Sequence, residues 1–286
     1  MCAAMYFLFA NPQKPETINA ARELAGVIES AGEGVVLDAW LHDELSIGHK
    51  ASLNDLKRAS IDCIISLGGD GTLLRTLPTA ALENIPVLGI NMGRVGFLLE
   101  VDDMDLNLMV KRLISKDYQL EHRHMLSAHI VGRKEEYLVM NDVVLCRGGN
   151  PSSIRVENYA NDELVYVTDG DGVIVASATG STGYCLSAGG PVLHPTLRNL
   201  VLLPICSHKA QQLPIVFDEK IHVRLKSSAG PGRTQQILFD GQTSIELPGT
   251  VEVSVSLSKE RVNFIRFAPQ HFYTRLRLKQ AEWSGK

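Results

Sequence analysis

The sequence lacks a cysteine framework and an excess of positive charge. Its five cysteines are widely spaced and form no C-x-x-C pair, so neither a set of disulfides nor a thiolate zinc site is expected, and a reducing cytoplasm fits best. The formal net charge is −4 and the pI is about 6.1, which leaves no basic field for a nucleic-acid backbone or an anionic membrane. We therefore expect no nucleic-acid or membrane partner, and any phosphate must be held locally.

Long apolar segments are also missing. No run of about 18 apolar residues occurs that could span a membrane. The apolar start at 1–10 lacks a basic leader and is interrupted by Asn11-Pro12, so it is interpreted as a first strand rather than a signal peptide. With 45% hydrophobic and 21% charged residues among 286, the chain has the composition of a globular enzyme with two packed domains or one large one.

Several nucleotide-binding and hydrolase motifs are absent. The only Gly-Lys dipeptide is Gly285-Lys286, so there is no G-x-x-x-x-G-K-[ST] P-loop. There is also no G-x-G-x-x-G after a strand, no H-E-x-x-H and no G-x-S-x-G. These absences exclude P-loop kinases, ordinary Rossmann dehydrogenases, zincins and serine hydrolases.

The apolar pattern predicts an α/β half followed by a β-rich half. Strands are expected at 5–10, 35–40, 61–67 and 85–90, and helices at 15–30, around 73–82 and at 103–116. This order is typical of a doubly wound α/β domain. From about Tyr118 to Ala268, short alternating runs separated by Gly, Asn and Pro predict a β-rich second domain. The last segment, 269–283, has helical character and is expected to return to the first domain.

The first glycine-rich cluster is Gly68-Gly69-Asp70-Gly71-Thr72, at the carboxyl end of the predicted strand 61–67. Open α/β sheets bind ligands at that edge. Glycines let backbone N–H groups approach a phosphate, and the N-terminus of the following helix favours an anion. We interpret the cluster as a phosphate-binding turn with one carboxylate. The alternative is a tight turn with Asp70 as helix N-cap, although a simple cap needs fewer glycines.

The second cluster begins at Asp169-Gly170-Asp171-Gly172 and continues, after a predicted strand at 173–176, through 179–191. It concentrates hydroxyls, amides and small residues, which suits the binding of ribose and phosphate oxygens. A glycine-rich β-turn connection is the alternative, and the length of the run argues against it. The pair Asn141-Asp142 before a predicted strand is a weaker signal, since such pairs are more often turns.

With these residues in view, the chain resembles the NAD kinase family, ATP- or polyphosphate-dependent, over nearly its whole length. The resemblance rests on G-G-D-G-T at 68–72, N-D at 141–142, D-G at 171–172, T-G-S-T-G-Y at 179–184 and L-S-A-G-G-P at 186–191. The segments 93–98 and 240–242 are similar to further family landmarks. G-G-D-G-T alone is shared with lipid kinases and, in part, phosphofructokinases, whereas the run at 179–191 is more specific.

The resemblance implies phosphoryl transfer from ATP, or another donor, to the adenosine-ribose 2′-hydroxyl of NAD, which gives NADP. It also implies a divalent cation, Mg²⁺ or Mn²⁺, and a homodimer or homotetramer. The active site is expected in the cleft between an α/β domain, 1–118 with 268–286, and a β-rich dinucleotide-binding domain, 119–267.

The resemblance also implies residue roles. Asp70 is expected to be the catalytic general base. The expected phosphate-binding residues are Gly68, Gly69, Gly71 and Thr72. The expected NAD-binding residues are Asp70, Gly71, Arg75, Asn141, Asp142, Asp171, Thr182, Gly183, Tyr184, Cys185, Leu186, Ser187 and Gln242. No metal ligand is predicted.

Three positions depart from the family pattern. Family members commonly read P-T-G-S-T-A-Y where this chain has Ala178 and Gly183, so the loop is expected to be more flexible. Many carry a basic residue where this chain has Asp169, which puts one phosphate contact in doubt. Because Asp70 and the hydroxyl-rich loop are intact, we interpret these differences as adjustments of the site that do not change the predicted activity.

The predicted chemistry depends mainly on positioning. A ribose hydroxyl is a poor nucleophile, and phosphoryl transfer is accelerated by alignment and charge neutralisation. Asp70 is expected to accept the proton, and, because few basic residues flank the glycine clusters, a divalent cation is expected to neutralise the donor phosphates. Two alternatives remain: a lipid or sugar kinase that shares G-G-D-G-T, and a non-catalytic dinucleotide sensor, which would not need a carboxylate in a phosphate-binding turn.

Overall fold

The computed structural model describes residues 3–93, 96–100, 105–149, 152–208, 212–229, 233–268 and 272–283. The chain forms two compact units. Unit 1 contains Met1–His122 and Val262–Lys286, and unit 2 contains Arg123–Arg261. The domain boundaries expected after 118 and 267 remain a prediction.

Unit 1 alternates strands and helices. The chain leaves unit 1 along the strand β6, Gln119–Ile130. The elements before this strand are β1 Met5–Ala10, α1 Pro15–Ser30, β2 Gly34–Asp38, α2 Ala39–Leu45, β3 His49–Ala51, β4 Cys63–Gly68, α3 Asp70–Leu74, α4 Leu77–Leu82, β5 Val87–Asn91 and α5 Leu106–Ile114. The strands lie in the order β3-β2-β1-β4-β5 and pair in parallel. The predicted α/β plan is confirmed.

Helices pack on both faces of this parallel sheet. Leu88 and Ile90 of β5 belong to a core cluster with side chains of α1 and α5. Gly89, between them, faces the other way: a methyl group there would lie 2.9 Å from Leu73 of α3. Because successive strand residues point to opposite faces, α1 and α3 cover opposite sides, as expected for a doubly wound sheet.

Two predictions in unit 1 were wrong by more than the end residues of an element. The strand expected at 35–40 ends at Asp38, and α2 begins at Ala39, because Leu41 and Leu45, one helical turn apart, are both buried. The helix expected around 73–82 is two helices, α3 and α4, and Pro78 lies in the first turn of α4. Proline lacks an N–H and is tolerated there but not in a helix interior.

Unit 2 is a β-sandwich. Its elements are β7 Glu136–Val139, β8 Asp142–Arg147, β9 Ile154–Ala160, β10 Glu163–Gly170, β11 Gly172–Ser177, α6 Tyr184–Ser187, β12 Asn199–Ile205, β13 Ile215–Asp218, β14 Val223–Ser228, β15 Thr234–Phe239, β16 Thr243–Pro248 and β17 Thr250–Arg266, the last of which returns to unit 1. One sheet has the order β10-β9-β14-β17 and the other β13-β12-β11-β8-β15-β16. Apolar side chains of both sheets form one buried cluster, so the predicted β-rich domain is confirmed.

The C-terminal helix α7, Phe272–Trp283, belongs to unit 1. Its Arg275 donates hydrogen bonds to the carbonyl oxygens of Gly96, at 2.9 Å, and Glu100, at 3.3 Å. The ring of Phe272 lies 6.4 Å from that of Phe97. The expected return of the C-terminal segment is therefore confirmed, although 269–271 of the predicted helix lie outside the described residues. Among the described helices, none is long and apolar enough to cross a membrane.

Candidate functional site

The carboxylate of Asp70 is held by backbone amides from a distant loop. Asp70 Oδ2 accepts a hydrogen bond from Phe97 N at 2.9 Å, and Oδ1 accepts one from Leu98 N at 3.2 Å. The N-cap of α3 is Gly69, without a side-chain cap bond. The alternative in which Asp70 is the helix N-cap is therefore wrong.

This arrangement fixes the carboxylate without using all of its acceptor capacity. Each carboxylate oxygen can accept about two hydrogen bonds, and each oxygen of Asp70 receives one of the two amide bonds. Gly96 allows the close approach, because a methyl group there would lie 2.2 Å from Asp70 Oδ1. The half-buried side chain is thus oriented and can accept a hydrogen bond from a further donor. Arg94 and Val95 of the same landmark lie outside the described residues.

The glycines of the 68–72 turn have different roles. A methyl group at Gly68 would lie 2.4 Å from Thr72 Oγ1, so this glycine permits the packing of the buried Thr72. A methyl group at Gly69 would meet no atom within 4 Å. Gly69 and Gly71 line an open groove, so the backbone is accessible there, as expected for a phosphate-binding turn.

The groove of unit 1 contains two basic side chains. It has a volume of about 320 Å³, and Lys14 and Arg75 line it together with Asn11, Gly69 and Gly71. The expectation that few basic residues lie near the first cluster is corrected here. Arg75 was predicted as an NAD-binding residue, and Lys14 was not predicted at all.

The position of Lys14 follows from strand order. It comes four residues after the end of β1, and β1 pairs in parallel with β4, which leads into the glycine turn. The carboxyl ends of adjacent parallel strands meet at one edge of a sheet. That rule, together with the pairing of β1 and β4, places Lys14 and Gly69 in the lining of one groove.

In unit 2, the predicted pair Asn141-Asp142 is organised by Asp240. Asp240 accepts hydrogen bonds from Met140 N at 2.9 Å, Asn141 N at 2.6 Å and Asp142 N at 3.2 Å. Asp240 and the following Gly241 have φ angles of 53° and 64°, in the left-handed region that Asp and Gly tolerate. The family landmark 240–242 therefore has a structural role that the sequence prediction did not assign to Asp240.

The buried carboxyl groups of Asp142 and Asp240 differ in the hydrogen bonds that stabilise their charged forms. Burial raises the pKa of both carboxyl groups, and for Asp240 the three amide bonds counteract the rise. Asp142 receives no such bonds within the described chain, and burial and the neighbouring Asp240 raise its pKa to about 7. The negative charge is thus better placed on Asp240 and the proton on Asp142.

Two hydroxyls of the loop at 179–191, those of Ser181 and Thr182, are used within the protein. Ser181 is fully buried; its Oγ donates to Ala178 O at 2.7 Å and accepts from Leu193 N at 3.0 Å. Thr182 Oγ1 donates to Thr179 O at 3.1 Å. The interpretation that these hydroxyls face ribose and phosphate oxygens is wrong for Ser181, because its hydroxyl completes the loop's own backbone bonding.

Two glycines of this loop lie against the Asn141-Asp142 pair. A methyl group at Gly180 would lie 1.9 Å from Asn141 O, so no other residue fits there. A methyl group at Gly183 would lie 3.3 Å from Gly180 O, 3.8 Å from Asp142 Oδ2 and 3.9 Å from Asn141 Nδ2. The structure therefore brings together Gly183, Asn141 and Asp142.

The remaining predicted residues of unit 2 differ in exposure. Tyr184 and Ser187 are exposed and Leu186 is half-buried, whereas Cys185 is fully buried in an apolar cluster. Burial raises the pKa of the Cys185 thiol to about 12, so only its backbone could meet a ligand. Asp171 is half exposed and forms an ion pair with Arg147, in which Asp171 Oδ1 lies 2.9 Å from Arg147 Nε. Gln242 follows Gly241 and donates its N–H to Phe239 O.

Comparisons with known proteins cover both units. The model of the ATP-NAD kinase N-terminal domain matches residues 7–118, and that of the C-terminal domain matches residues 140–267. An NAD kinase of Heliobacterium modesticaldum is 36% identical over 275 residues, which cover 95% of this chain and 96% of the relative. An NAD kinase of Methanothermobacter thermautotrophicus is 32% identical and covers 93% of each chain.

Solved structures with the same fold have lower identity. The yeast NADH kinase in complex with NADH has a TM-score of 0.85 and 22% identity, covering 96% of this chain and 86% of its own. An NAD kinase of Archaeoglobus fulgidus in complex with ATP has a TM-score of 0.69 and 23% identity, covering 97% and 99%. From the two domain matches and the curated relatives, the chain belongs to the ATP-NAD kinase family and is a phosphotransferase that phosphorylates NAD.

Proposed function

We propose that the chain transfers the γ-phosphoryl group of ATP to the adenosine-ribose 2′-hydroxyl of NAD, with Asp70 as the general base. The observation that carries this proposal is the Asp70 carboxylate itself. It is oriented by the amides of Phe97 and Leu98 in the turn that leads from β4 into α3. A fixed, partly solvated carboxylate with spare acceptor capacity is suited to take a proton from a hydroxyl.

The reaction balances simply. The ribose O2′ forms a bond to the γ-phosphorus while the bond from that phosphorus to the β,γ-bridging oxygen breaks, so ADP leaves. The hydroxyl proton passes to Asp70. Proton acceptance of this kind contributes roughly 10²- to 10⁴-fold, and alignment supplies most of the remaining acceleration.

The donor phosphates are proposed to bind in the unit 1 groove. Gly69 and Gly71 offer accessible backbone, and Lys14 and Arg75 offer positive charge. Charge-assisted hydrogen bonds to phosphate are roughly twice as strong as neutral ones. The solved A. fulgidus relative with ATP supports the choice of donor.

A divalent cation, Mg²⁺ or Mn²⁺, is proposed to accompany the nucleotide. In the described ranges no group of three or more His, Cys, Asp or Glu residues could hold a metal ion. Mg²⁺ is commonly bound through one or two carboxylates plus substrate phosphates. A cation that is bound mainly by the phosphates of ATP does not need a cluster of protein ligands. When bound, it would neutralise charge on the donor phosphates.

Unit 2 is proposed to hold the dinucleotide through the pair Asn141-Asp142 and Gly183, where an added methyl group would lie 3.8 Å from Asp142 Oδ2 and 3.9 Å from Asn141 Nδ2. The further residues in this assignment are Asp171, Thr182, Tyr184, Cys185, Leu186, Ser187 and Gln242. A cytoplasmic location and a homodimer or homotetramer complete the proposal. A monomer in analytical ultracentrifugation at micromolar concentration would contradict the proposed oligomer.

The function is tested by incubating the purified protein with Mg-ATP and NAD and measuring NADP. We expect NADP to form, to disappear with excess EDTA and to return with Mg²⁺ or Mn²⁺. Phosphorylation of diacylglycerol in place of NAD would favour a lipid kinase, and tight NAD binding without turnover would favour a sensor.

A further inference from the structure

A small cavity in unit 2 has a positively charged lining that, among the described residues, includes no carboxylate. Its volume is about 160 Å³, and three of its lining residues are Arg147, Arg155 and Arg233. Hydroxyl groups along its wall belong to Ser152, Ser153 and Ser228. We call it the arginine cavity.

The β-sandwich builds this cavity from strand ends. β8 ends at Arg147 and β15 begins at Thr234 in one sheet, whereas β9 begins at Ile154 and β14 ends at Ser228 in the other. The ladders that pair β8 with β15 and β9 with β14 fix these ends. The arginines therefore converge because of the fold.

The positive charge of the cavity is only partly compensated. Arg147 pairs with Asp171 at 2.9 Å, and Arg155 pairs with Asp169 at 3.6 Å. Arg233 forms no ion pair within the described part of the chain. The guanidinium group of Arg233 thus has no ion-pair partner there, in a chain whose net charge is −4. An anion between the three guanidinium groups would reduce their mutual repulsion.

Size and chemistry narrow the class of anion. A volume of about 160 Å³ would hold about five water molecules at ~30 Å³ each, and is well below the ~300–1,000 Å³ typical of pockets for larger ligands. Arginine forks match the oxygens of phosphate groups. We propose that the arginine cavity binds one phosphate group, as inorganic phosphate or as the phosphate of a small phosphomonoester.

The test is calorimetric titration of the full-length protein with inorganic phosphate, and separately with ribose 5-phosphate, without nucleotide. All variants carry Lys14→Gln and Arg75→Gln, which remove the basic groups of the unit 1 groove, so the result does not depend on the proposed function. To this background we add Arg155→Gln with Arg233→Gln. The matched control adds Arg133→Gln with Arg198→Gln, which removes the same charge elsewhere in unit 2.

We expect the background and the control to bind one phosphate per chain, and the Arg155/Arg233 variant to bind it about tenfold or more weakly, as for the loss of charge-assisted bonds. The tighter of the two probes identifies the source of the phosphate group. Binding of neither probe, or equal binding by the variant and the control, would overturn the proposal. If the double variant unfolds, Arg233→Gln alone, at an exposed side chain, gives the same comparison.

Discussion

The two glycine-rich regions of this chain have similar compositions and different architectures. In the turn at 68–72, Gly69 has open space around its Cα and lines a groove. In the loop at 179–191, a methyl group would lie 1.9 Å from Asn141 O at Gly180 and 2.3 Å from Cys185 Sγ at Gly190. The first region uses glycine mainly for access, and the second uses it mainly for close packing.

The polar side chains of the two regions also differ in whether their hydrogen-bonding capacity is used within the protein. Ser181 and Thr182 bond to the loop's own backbone, whereas Asp70 is held by amides in an orientation that leaves acceptor capacity. A hydroxyl-rich sequence is therefore not by itself a ligand-binding surface. In unit 2 the groups that remain for a ligand include Asn141, Asp142, the exposed Tyr184 and Ser187 and the accessible face of Gly183.

The largest expected effect is on the free energy of unfolding and concerns Asp142. Its pKa rises from 3.8 to about 7 on folding, so the folded state binds the proton more tightly and stability falls as the pH rises between these values. Asp142→Asn removes this loss. The stability of the variant relative to the wild type should increase from pH 4 to 7, by up to about 4 kcal/mol, and level off above pH 7.

Urea unfolding at several pH values measures this difference. A stability difference between Asp142→Asn and the wild type that does not change with pH would contradict the assignment of the proton to Asp142.

The next effect is on catalysis and concerns Asp70. Asp70→Asn removes the basic oxygen, so kcat should fall by about 10²-fold or more with little change in the affinity for NAD. Because Asn presents an N–H₂ group to one of the two backbone amides, the variant should also lose about 1 kcal/mol of stability. Steady-state kinetics and thermal unfolding measure both quantities.

A matched variant perturbs the same carboxylate without removing it. Gly96→Ala places a methyl group against Asp70 Oδ1 and should lower kcat while Asp70 remains. Near-wild-type turnover by Asp70→Asn would exclude the general-base role.

The third effect is on dinucleotide binding and concerns Gly183. The first methyl group at this position fits at 3.3 Å from Gly180 O, so Gly183→Ala should bind NAD nearly as well as the wild type. Gly183→Val adds bulk next to Asp142 and Asn141 and should weaken NAD binding about tenfold or more, as for overpacking of 1–3 kcal/mol. Calorimetry with NAD tests this difference, and unchanged affinity in a folded valine variant would remove Gly183 from the site.

The smallest effect is on the phosphoryl donor and concerns Lys14 and Arg75. Replacing both with Gln should raise the KM for ATP about tenfold at low salt and less at high salt, because exposed charges are screened. Arg22→Gln with Lys50→Gln removes two other surface charges of unit 1 and is the control. Equal KM values in the two double variants would show that the groove does not bind the donor.

Much of the fold follows from the sequence because local patterns and tertiary packing agree. The helix α1 was predicted from the spacing of its apolar residues, and the buried strand before Gly68 was predicted from a continuous apolar run. The strand predicted over Val35–Trp40 failed because β2 ends at Asp38, the N-cap of α2, and the apolar Ala39 and Trp40 already belong to that helix. The predicted helix at 73–82 failed because Pro78 starts a second helix.

The site was less predictable because its contacts are long-range. Phe97 and Leu98 lie 27 and 28 residues from the Asp70 that they hold, and Asp240 lies about 100 residues from the amides that it caps. Motif spacing identified Asp70 and the pair Asn141-Asp142 as candidates. It could not show which backbone amides hold a carboxylate, or that Ser181 points inward.

In the proposed reaction, unit 1 supplies the general base and unit 2 binds NAD. The most direct test is a double-mutant cycle of Asp70→Asn and Gly183→Val, with kcat and the KM for NAD measured for all four proteins. We expect Asp70→Asn to lower kcat, Gly183→Val to raise the KM for NAD, and the two effects on kcat/KM to multiply, as for independent sites. If both substitutions change the same parameter, or if the double variant is no worse than either single one, the division of roles between the two glycine-rich regions is contradicted.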